Sequence, residues 1–300
     1  MGRKMEVLRR FDPWGDPLCT CPPKYGLNPY TGCSHRCVYC YITSYIPRAF
    51  ECRPKVDLLR RLERDLARAD DRMFISMSNS SDPYPPQERK LMLTRRCLEA
   101  IARRGMAVQI ITKSDLVVRD AGVLASIPSV VSFTVTTLDR DLAARLEPGA
   151  PPPSRRLDAM RRLSEAGIPV TLRLDPVFPG LNDWEVDEIV EAAVQSGARH
   201  VTSSTFKPRP DSWSRFSLAF PEEARRMADD YLRRGWKHHN ARYLPRRVRM
   251  DLMARVEEAC RRAGVTFATC REGFRFRAPT CDGSHLIRTA GRLPAFRPRS

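Results

Sequence analysis

The chain has 300 residues, enough for one large domain or two ordinary ones with a sizeable buried core. Hydrophobic residues make up 42% of it, which excludes an intrinsically disordered chain. The formal charge is +17, and the stretch from Thr205 to Ser300 contains 22 basic and 10 acidic side chains. This excess favours a polyanionic partner, nucleic acid before an acidic membrane surface, and an arginine-rich compositional bias is the alternative explanation.

Neither a membrane segment nor a signal peptide is predicted. No stretch approaches the roughly 20 apolar residues that a transmembrane helix needs. The amino-terminal sequence MGRKMEVLRRF lacks the apolar core of a signal peptide. We therefore expect a cytoplasmic protein without membrane contact. Disulfides are disfavoured in a reducing cytosol, so the ten cysteines indicate metal or redox chemistry.

Short β-branched runs alternate with amphipathic helical patterns. The six predicted strands are Leu27–Thr31, Met73–Ser78, Val108–Lys113, Val130–Thr137, Pro169–Asp175 and His200–Phe206. The predicted helices between them are Lys55–Ala69, Pro86–Arg104, Arg140–Leu146, Ser154–Ala166 and Asp183–Ser196. Strand–helix alternation of this kind predicts an α/β fold with a parallel sheet. Three segments are expected: an amino-terminal segment at 1–26, a core at 27–206 and a basic carboxyl-terminal extension at 207–300.

Polar residues follow several of these strands. Ser81 and Asp82 come after the second strand, Lys113 ends the third, and Thr134 lies in the fourth. For Ser81 alone, ordinary loop chemistry is the favoured explanation. A lysine that ends an apolar strand is less usual, and Lys113 is interpreted either as a ligand-binding cation or as half of a surface salt bridge.

Three cysteines are closely spaced in NPYTGCSHRCVYCY, where Cys33, Cys37 and Cys40 form C-x3-C-x2-C. Their sulfurs can converge on one inorganic centre. Zinc would require a fourth ligand nearby, and His35 is poorly placed because it lies inside the loop. A [4Fe-4S] cluster on three cysteines leaves one iron open for a non-protein ligand.

At these residues the sequence resembles the radical S-adenosylmethionine (SAM) superfamily, whose signature is C-x3-C-x-aromatic-C, with Tyr39 as the aromatic residue. The resemblance implies a partial (β/α)6 TIM-type barrel, a [4Fe-4S] cluster, and SAM bound to the open iron. It also implies a reducing electron donor such as ferredoxin or flavodoxin. SAM would be cleaved reductively to methionine and a 5′-deoxyadenosyl radical. In such barrels the chemistry gathers at the carboxyl ends of the strands.

A narrower resemblance is to the spore photoproduct lyase-related branch, often labelled DNA repair photolyases. The matching stretches are NPYTGCSHRCVYCY, SNSSDPYPPQERKLMLTRRCLEAI, IITKSDLVVRD, TTLDRDLAARLEP and AGIPVTLRLDPVFPGLND. It implies that Ser81 contacts the SAM amino group, Lys113 the SAM carboxylate or ribose, and Thr134 another part of SAM.

One departure from that branch concerns the hydrogen-atom donor. The lyase has a cysteine just before its SAM-binding serine, whereas Met77–Ser80 contains none. Tyr41, Tyr45 and Tyr84 are the alternatives, and the sequence does not choose among them. Cys97 is expected to be packed inside a helix.

Four further cysteines occur in two pairs. Cys19 and Cys21 lie near the amino terminus, and Cys270 and Cys281 near the carboxyl terminus. They would hold a second iron–sulfur cluster if the termini meet, while a structural zinc and plain reduced thiols are the alternatives. The fragment PTCDGSH also resembles half of the CDGSH [2Fe-2S] motif, which makes His285 a candidate ligand.

The stretch FKPRPDSWSRF interleaves basic and aromatic residues, as phosphate contacts and base stacking require. Its candidates are Lys207, Arg209, Trp213, Arg215 and Phe216. For any single residue the favoured interpretation is structural, with Trp213 packed under the barrel and the arginines on a solvated face. For the region as a unit, the charge surplus favours a nucleic-acid groove.

The leading hypothesis is a radical SAM enzyme acting on nucleic acid, in DNA photoproduct repair or RNA modification. The alternatives are a radical SAM enzyme acting on a peptide or small metabolite, and a zinc-stabilised nucleic-acid-binding protein. The sequence does not predict the oligomeric state.

Overall fold

The computed structural model describes residues 5–11, 15–77 and 80–287. In chain order the strands are β1 (Arg9–Arg10), β2 (Lys24–Leu27), β3 (Tyr30–Thr31), β4 (Arg53–Pro54), β5 (Phe74–Met77), β6 (Val108–Thr112), β7 (Ser129–Thr134), β8 (Val170–Val177), β9 (Ala198–Thr205), β10 (Trp236–His238), β11 (Ala241–Tyr243) and β12 (Thr266–Thr269). The helices are α1 (Leu58–Leu66), α2 (Glu88–Leu91), α3 (Leu93–Arg103), α4 (Ala121–Ala125), α5 (Arg140–Leu146), α6 (Pro153–Glu165), α7 (Val186–Gln195), α8 (Pro210–Ala219), α9 (Pro221–Leu232) and α10 (Arg246–Arg262).

Eight strands form one sheet, in the spatial order β1-β2-β5-β6-β7-β8-β9-β12. The pair β1 and β2 is antiparallel, and every other neighbouring pair in this sheet is parallel. The predicted α/β class with a partial TIM-type barrel is confirmed. The carboxyl-terminal extension adds β12 as a parallel strand beyond the six predicted, and β1 comes from the amino-terminal segment. The division at residues 26 and 206 stays a prediction.

Two predicted elements are misplaced. The first strand is β2, not Leu27–Thr31, because Pro29 has no N–H to continue the ladder with β5. The predicted helix Pro86–Arg104 is interrupted at Met92, which has a φ of 49°. The buried Glu88 carboxylate accepts the backbone N–H of Thr94 at 3.0 Å and so caps the start of α3. Ser78, the last residue of a predicted strand, and the basic tail after Ile287 lie outside the described residues.

The two faces of the sheet differ in chemistry. Residues paired across neighbouring strands share a face, because side chains alternate along each strand. The face turned toward the helices is apolar and supplies much of the core. The face turned toward the barrel interior carries buried polar side chains, among them Lys24, Ser76, Gln109, Ser132, Thr171 and Thr202. Part of this polar interior bonds to the chain's own segment after β12.

The chain after β12 returns into this interior. The Gln109 side-chain amide donates to the Asp282 carbonyl at 2.7 Å, and the Thr202 hydroxyl donates to the Cys281 carbonyl at 2.9 Å. At the amino-terminal end of the strands, Ile287 packs with Phe74, Ala107 and Val130. The segment 281–287 therefore plugs the bottom of the barrel and leaves the carboxyl ends of the strands open. None of the helices within the described ranges is long and apolar enough to cross a bilayer.

Candidate active site

The loop that carries Cys33, Cys37 and Cys40 follows β3 and is fastened to two other segments. The Cys33 amide donates to the Ala49 carbonyl at 2.8 Å. The Val38 amide donates to the carbonyl of Leu146, the last residue of α5, at 2.9 Å. All three cysteines line one cavity of about 690 Å³ at the carboxyl ends of the strands. The predicted trio is thus brought to one place.

Two glycines allow the close approach of this loop. A Cβ on Gly32 would lie 2.3 Å from the Glu51 carbonyl oxygen, and the residue has a φ of +77°. A Cβ on Gly149 would lie 2.2 Å from the Ser34 carbonyl oxygen. The Gly149 amide in turn donates to the His35 carbonyl at 2.9 Å. Any side chain at these positions would push the cysteine loop away.

The signature aromatic, Tyr39, is held by a buried carboxylate. Its hydroxyl donates to Glu147, which also accepts from Thr136 at 3.0 Å and lies 2.5 Å from Nη1 of the fully buried Arg156. Burial would raise the pKa of Glu147, but Arg156, Lys113 and the Tyr39 hydroxyl lower it to about 2. Glu147 is therefore ionised and fixes the position of the Tyr39 ring.

Glu147 is not among the site residues that the sequence predicts. One signal was available, because Glu147 directly follows α5, and a carboxylate at a helix carboxyl terminus is disfavoured by the helix dipole unless a cation compensates it.

The three predicted SAM-contacting residues also line the cavity. The Ser81 hydroxyl donates to the Tyr30 carbonyl at 3.3 Å. Lys113 Nζ lies 3.9 Å from Glu147 and 5.6 Å from the centre of the Tyr39 ring. Thr134 ends β7 and is 5% exposed. Ser81, Lys113 and Thr134 thus surround the same space as the three cysteines, while their individual roles stay predictions.

Asp82 ties two of these strand ends together. Its carboxylate accepts the Thr112 hydroxyl and the Lys113 backbone amide, both at 2.8 Å. It also lies 3.5 Å from Nδ1 of His35, which is 3% exposed. Burial lowers the pKa of His35, which favours the neutral ring. Asp82 is thereby a positioning group for Lys113 and for the cysteine loop.

These donors suit an iron–sulfur cluster better than a single ion. Among the described residues, only Asp16, His238 and His239 form a set of three or more potential ligands with all ligand atoms within 4.8 Å of one another. Four sulfurs around one zinc would lie about 3.8 Å apart, given the Zn–S distance. The sulfurs of Cys33, Cys37 and Cys40 are not gathered as around one zinc, and three cysteines that line one cavity agree with a cluster in which each binds a different iron. Lys113 places a cation in the same cavity.

Helix α8 packs on the cysteine loop and contains most of the stretch FKPRPDSWSRF, which the sequence relates to nucleic-acid binding. Arg215 donates to the Cys40 carbonyl at 2.6 Å and to the Thr43 hydroxyl at 2.8 Å. Trp213 packs against Tyr231, with ring centroids 5.4 Å apart, and Phe216 is fully buried. Trp213, Arg215 and Phe216 therefore do not face a nucleic acid: the aromatics pack in the core, as the interpretation favoured for single residues has it, and Arg215 holds the cysteine loop.

The remaining two residues of that stretch line the cavity. Lys207 forms an ion pair with Glu272 at 2.7 Å. The Arg209 guanidinium lies 5.8 Å from the Tyr41 ring centre and 5.6 Å from that of Tyr45. Both tyrosines line the cavity and are more than 40% exposed. An aromatic and basic rim therefore exists, but it combines Arg209 with two tyrosines beside Cys40.

The four cysteines near the chain ends also line this cavity. The sulfurs of Cys21 and Cys281 lie 3.5 Å apart, and Cys21 accepts hydrogen bonds from Cys19 and Cys281 that hold its pKa well below the usual value. Cys270 is close enough to interact electrostatically with Cys19 and Cys21. The expectation that the two pairs meet agrees with this placement.

The candidacy of His285 as a ligand does not hold. Its Nδ1 lies 2.9 Å from the Thr280 hydroxyl and its Nε2 3.5 Å from the Thr266 hydroxyl. Its ring also makes an edge contact with His200, with centroids 5.1 Å apart. Both ring nitrogens thus face threonines rather than the cysteines. Cys97, as expected, is fully buried within α3.

Comparison with known sequences identifies the core. The family model of the radical SAM superfamily matches residues 27–193. An uncharacterized protein of Methanocaldococcus jannaschii is 33% identical over 171 residues, which cover 54% of this chain and 63% of that protein. An uncharacterized protein of Mycobacterium tuberculosis is 28% identical over 255 residues, covering 78% and 73%. The chain thus matches less than two thirds of the archaeal relative's length.

Solved structures resemble the fold over a longer stretch. A spore photoproduct lyase complexed with dinucleoside spore photoproduct has a TM-score of 0.66 at 17% identity, covering 88% of this chain and 79% of that one. SuiB of Streptococcus suis, bound to the precursor peptide SuiA, has a TM-score of 0.56 at 14% identity, covering 81% and 48%. At these identities the likeness establishes the fold.

Proposed function

Because this chain belongs to the radical SAM superfamily, we propose that it cleaves SAM reductively at a [4Fe-4S] cluster on Cys33, Cys37 and Cys40 and acts on a nucleic-acid substrate. One observation carries the proposal. The three signature cysteines and the polar strand-end residues Ser81, Lys113 and Thr134 line a single cavity of about 690 Å³. That volume falls within the range of small-molecule and cofactor sites.

The chain's own residues bind and orient the cofactors. When bound, the cluster and SAM supply one-electron cleavage to methionine and a 5′-deoxyadenosyl radical, with the electron coming from a donor such as ferredoxin or flavodoxin. Lys113 pairs with the SAM carboxylate, and the Ser81 hydroxyl accepts from the SAM amino group. Thr134 contributes a hydroxyl from the neighbouring strand end. Tyr39, whose hydroxyl donates to Glu147, forms part of the wall of the cavity that would hold the cofactors.

A nucleic-acid substrate is supported by the rim of the cavity. Arg9, Arg10 and Arg209 line it together with the exposed rings of Tyr41 and Tyr45. Cations suit phosphates, and tyrosine faces suit unstacked bases. The related spore photoproduct lyase is described in complex with a dinucleoside photoproduct. The formal charge of +17 also favours a nucleic-acid substrate. The proposed location of the protein is the cytoplasm.

The hydrogen-atom donor is proposed to be Tyr41 or Tyr45. Both line the cavity, whereas Tyr84 is 1% exposed and lies outside the set of lining residues among those described. A peptide substrate is the second candidate, favoured by the fold likeness to peptide-bound SuiB.

The test uses protein reconstituted anaerobically with iron and sulfide and reduced with dithionite. With SAM alone, we expect methionine and 5′-deoxyadenosine, measured by liquid chromatography and mass spectrometry. Ultraviolet-irradiated oligonucleotide, tRNA and acidic peptides are then compared as substrates. Restored thymine or a modified RNA base supports the proposal. Absence of 5′-deoxyadenosine contradicts the radical SAM assignment, and turnover of peptide alone contradicts the nucleic-acid assignment.

Nucleic-acid binding is measured separately through its salt dependence. Phosphate contacts release counterions, so the affinity for DNA or tRNA falls steeply as salt rises. A flat dependence contradicts a phosphate-binding rim.

A further inference from the structure

The open barrel has a seam between its two outer strands. β1 and β12 stand at opposite ends of the strand order, and no pairing joins them within the described parts of the chain. Cys19 and Cys21 lie between β1 and β2, and Cys270 and Cys281 follow β12. Each side of the seam therefore contributes two cysteines, and all four line the cavity.

Two ion pairs join these sides, one beside each end of the cysteine group. Lys24 Nζ lies 2.6 Å from the Asp282 carboxylate. Lys24 is three residues after Cys21, and Asp282 directly follows Cys281. Asp16 forms an ion pair with Arg271, the neighbour of Cys270. Asp16 also accepts the Leu18 amide at 2.9 Å, and its carbonyl accepts the Cys19 amide at 3.0 Å. The backbone on both sides of the seam is thus fixed next to the sulfurs.

The burial of these pairs indicates a built site. Lys24 and Asp282 are 2% and 4% exposed, and the Asp16 side chain is fully buried. Burying two charges costs free energy, and their mutual attraction offsets this cost only when the geometry is good. A buried ion pair is therefore weak evidence for a role in stability alone. Here they place Lys24 and Arg271 next to the four cysteines. Arg173, which lines the same cavity, hydrogen-bonds Cys270 and adds a further cation.

The donor set favours iron–sulfur over the alternatives. The cysteines are spaced C-x-C and C-x10-C, whereas structural zinc sites use C-x2–4-C pairs. Among the residues that the structure describes, no three of these sulfurs lie within 4.8 Å of one another, which is wider than one zinc requires. The 3.5 Å between the sulfurs of Cys21 and Cys281 exceeds the roughly 2.05 Å of a disulfide. Four cysteines are also the ligand set of [2Fe-2S] and [4Fe-4S] clusters.

We infer that Cys19, Cys21, Cys270 and Cys281 hold a second iron–sulfur cluster, which closes the seam of the open barrel. This assignment is independent of the substrate class, so the two proposals fail separately.

The first test is the iron content of full-length protein reconstituted anaerobically. A Cys33→Ala/Cys37→Ala/Cys40→Ala variant is expected to retain roughly two to four irons with matching sulfide. After reduction it should give an electron paramagnetic resonance signal that does not change when SAM is added. No bound iron, or one zinc per chain in place of iron, overturns the inference.

The reciprocal variant is Cys270→Ala/Cys281→Ala. Its iron content should fall to about four per chain, with a remaining signal that responds to SAM. Wild-type iron content in this variant overturns the inference. Cys52→Ala, which removes a cysteine outside the group, serves as the matched control and should bind as much iron as the wild type.

A second measurement tests closure of the seam and does not depend on activity. Hydrogen–deuterium exchange in Cys270→Ala/Cys281→Ala should rise at residues 15–27 and 266–287. Exchange in α6, on the far side of the barrel, should stay unchanged and shows that the variant is folded. Chelator treatment of the wild type should raise exchange at these same residues, together with any change at the first cluster. Unchanged exchange at both sides of the seam overturns the structural role.

Discussion

The molecule contains two cysteine regions that reach the same cavity in different ways. In the first, Cys33, Cys37 and Cys40 lie within eight residues of one loop, held by a few backbone hydrogen bonds. In the second, Cys21 and Cys281 are 260 residues apart, and buried ion pairs bring their segments together. The cysteines of the first region are neighbours in the chain, whereas the second region exists only when the sheet is complete.

The two regions also have one structural feature in common, a buried carboxylate paired with a cation. Each contains a buried carboxylate whose pKa is about 2. Burial would raise both values, but Arg156 and Lys113 lower that of Glu147, and Lys24 lowers that of Asp282. In the first region the carboxylate orients an aromatic ring. In the second it joins the two edges of the sheet.

Removal of one cysteine of the first region should have the strongest effect on SAM cleavage. Cys37→Ala should reduce 5′-deoxyadenosine formation to background, because a cluster with two remaining ligands in a loop is not held. Cys52→Ala should form 5′-deoxyadenosine at the wild-type rate. Quantification of 5′-deoxyadenosine after dithionite reduction checks both. Substantial product from Cys37→Ala would separate SAM cleavage from the first region.

The next effect compares the buried carboxylates. Both pKa values are depressed in the folded state, so each group contributes stability that is present above its unfolded value and lost as pH falls toward 2. From unperturbed values of 4.5 and 3.8, Glu147→Gln should lower the free energy of unfolding by about 3 kcal/mol and Asp282→Asn by about 2 kcal/mol at pH 7.

Urea unfolding of the metal-free protein checks this at pH 7 and at lower pH. Both differences should shrink as pH falls below about 4.5. Glu165→Gln, in an exposed pair with Arg161, is the control and should change stability by less than about 1 kcal/mol. Differences that are independent of pH would show that the carboxylate charges do not stabilise the fold.

The sequence predicts the two regions to different extents, because the cysteines of the first are close together in the chain and those of the second are far apart. The loop spacing and Tyr39 identify the first region, because the ligands are neighbours in the chain. The pairing of Cys19 and Cys21 with Cys270 and Cys281 could be proposed only as a condition on where the termini lie. The ion pairs of Asp16 and Lys24 depend on β12 and on the plug segment, which have no local signal. The same holds for Arg215, whose role is set by the docking of α8.

A smaller effect tests the packing of the first region. Gly149→Ala should destabilise the protein by roughly 1–3 kcal/mol, because its Cβ would lie 2.2 Å from the Ser34 carbonyl oxygen. It should also reduce iron binding at the first region while leaving the second loaded. Gly122→Ala is the matched control, since nothing lies within 4 Å of its Cβ. Thermal unfolding and iron content measure both variants. Equal stability of the two would contradict the close approach.

The smallest effect concerns the rim that the two regions share. Arg209→Ala should reduce the slope of log affinity against log salt for nucleic acid by about one, as expected for one lost phosphate contact. Arg233→Ala, on the exposed end of α9, should leave the slope unchanged. Fluorescence anisotropy over a salt series checks this. A slope insensitive to Arg209 would place the phosphate contacts elsewhere.

The central claim is that three cysteines hold a cluster with one iron free to bind SAM. The most direct measurement adds SAM to the dithionite-reduced protein and records the electron paramagnetic resonance spectrum of the cluster. We predict that the spectrum changes on SAM addition in the wild type and that this change is lost in Cys37→Ala. A wild-type spectrum that stays the same with saturating SAM would contradict the claim.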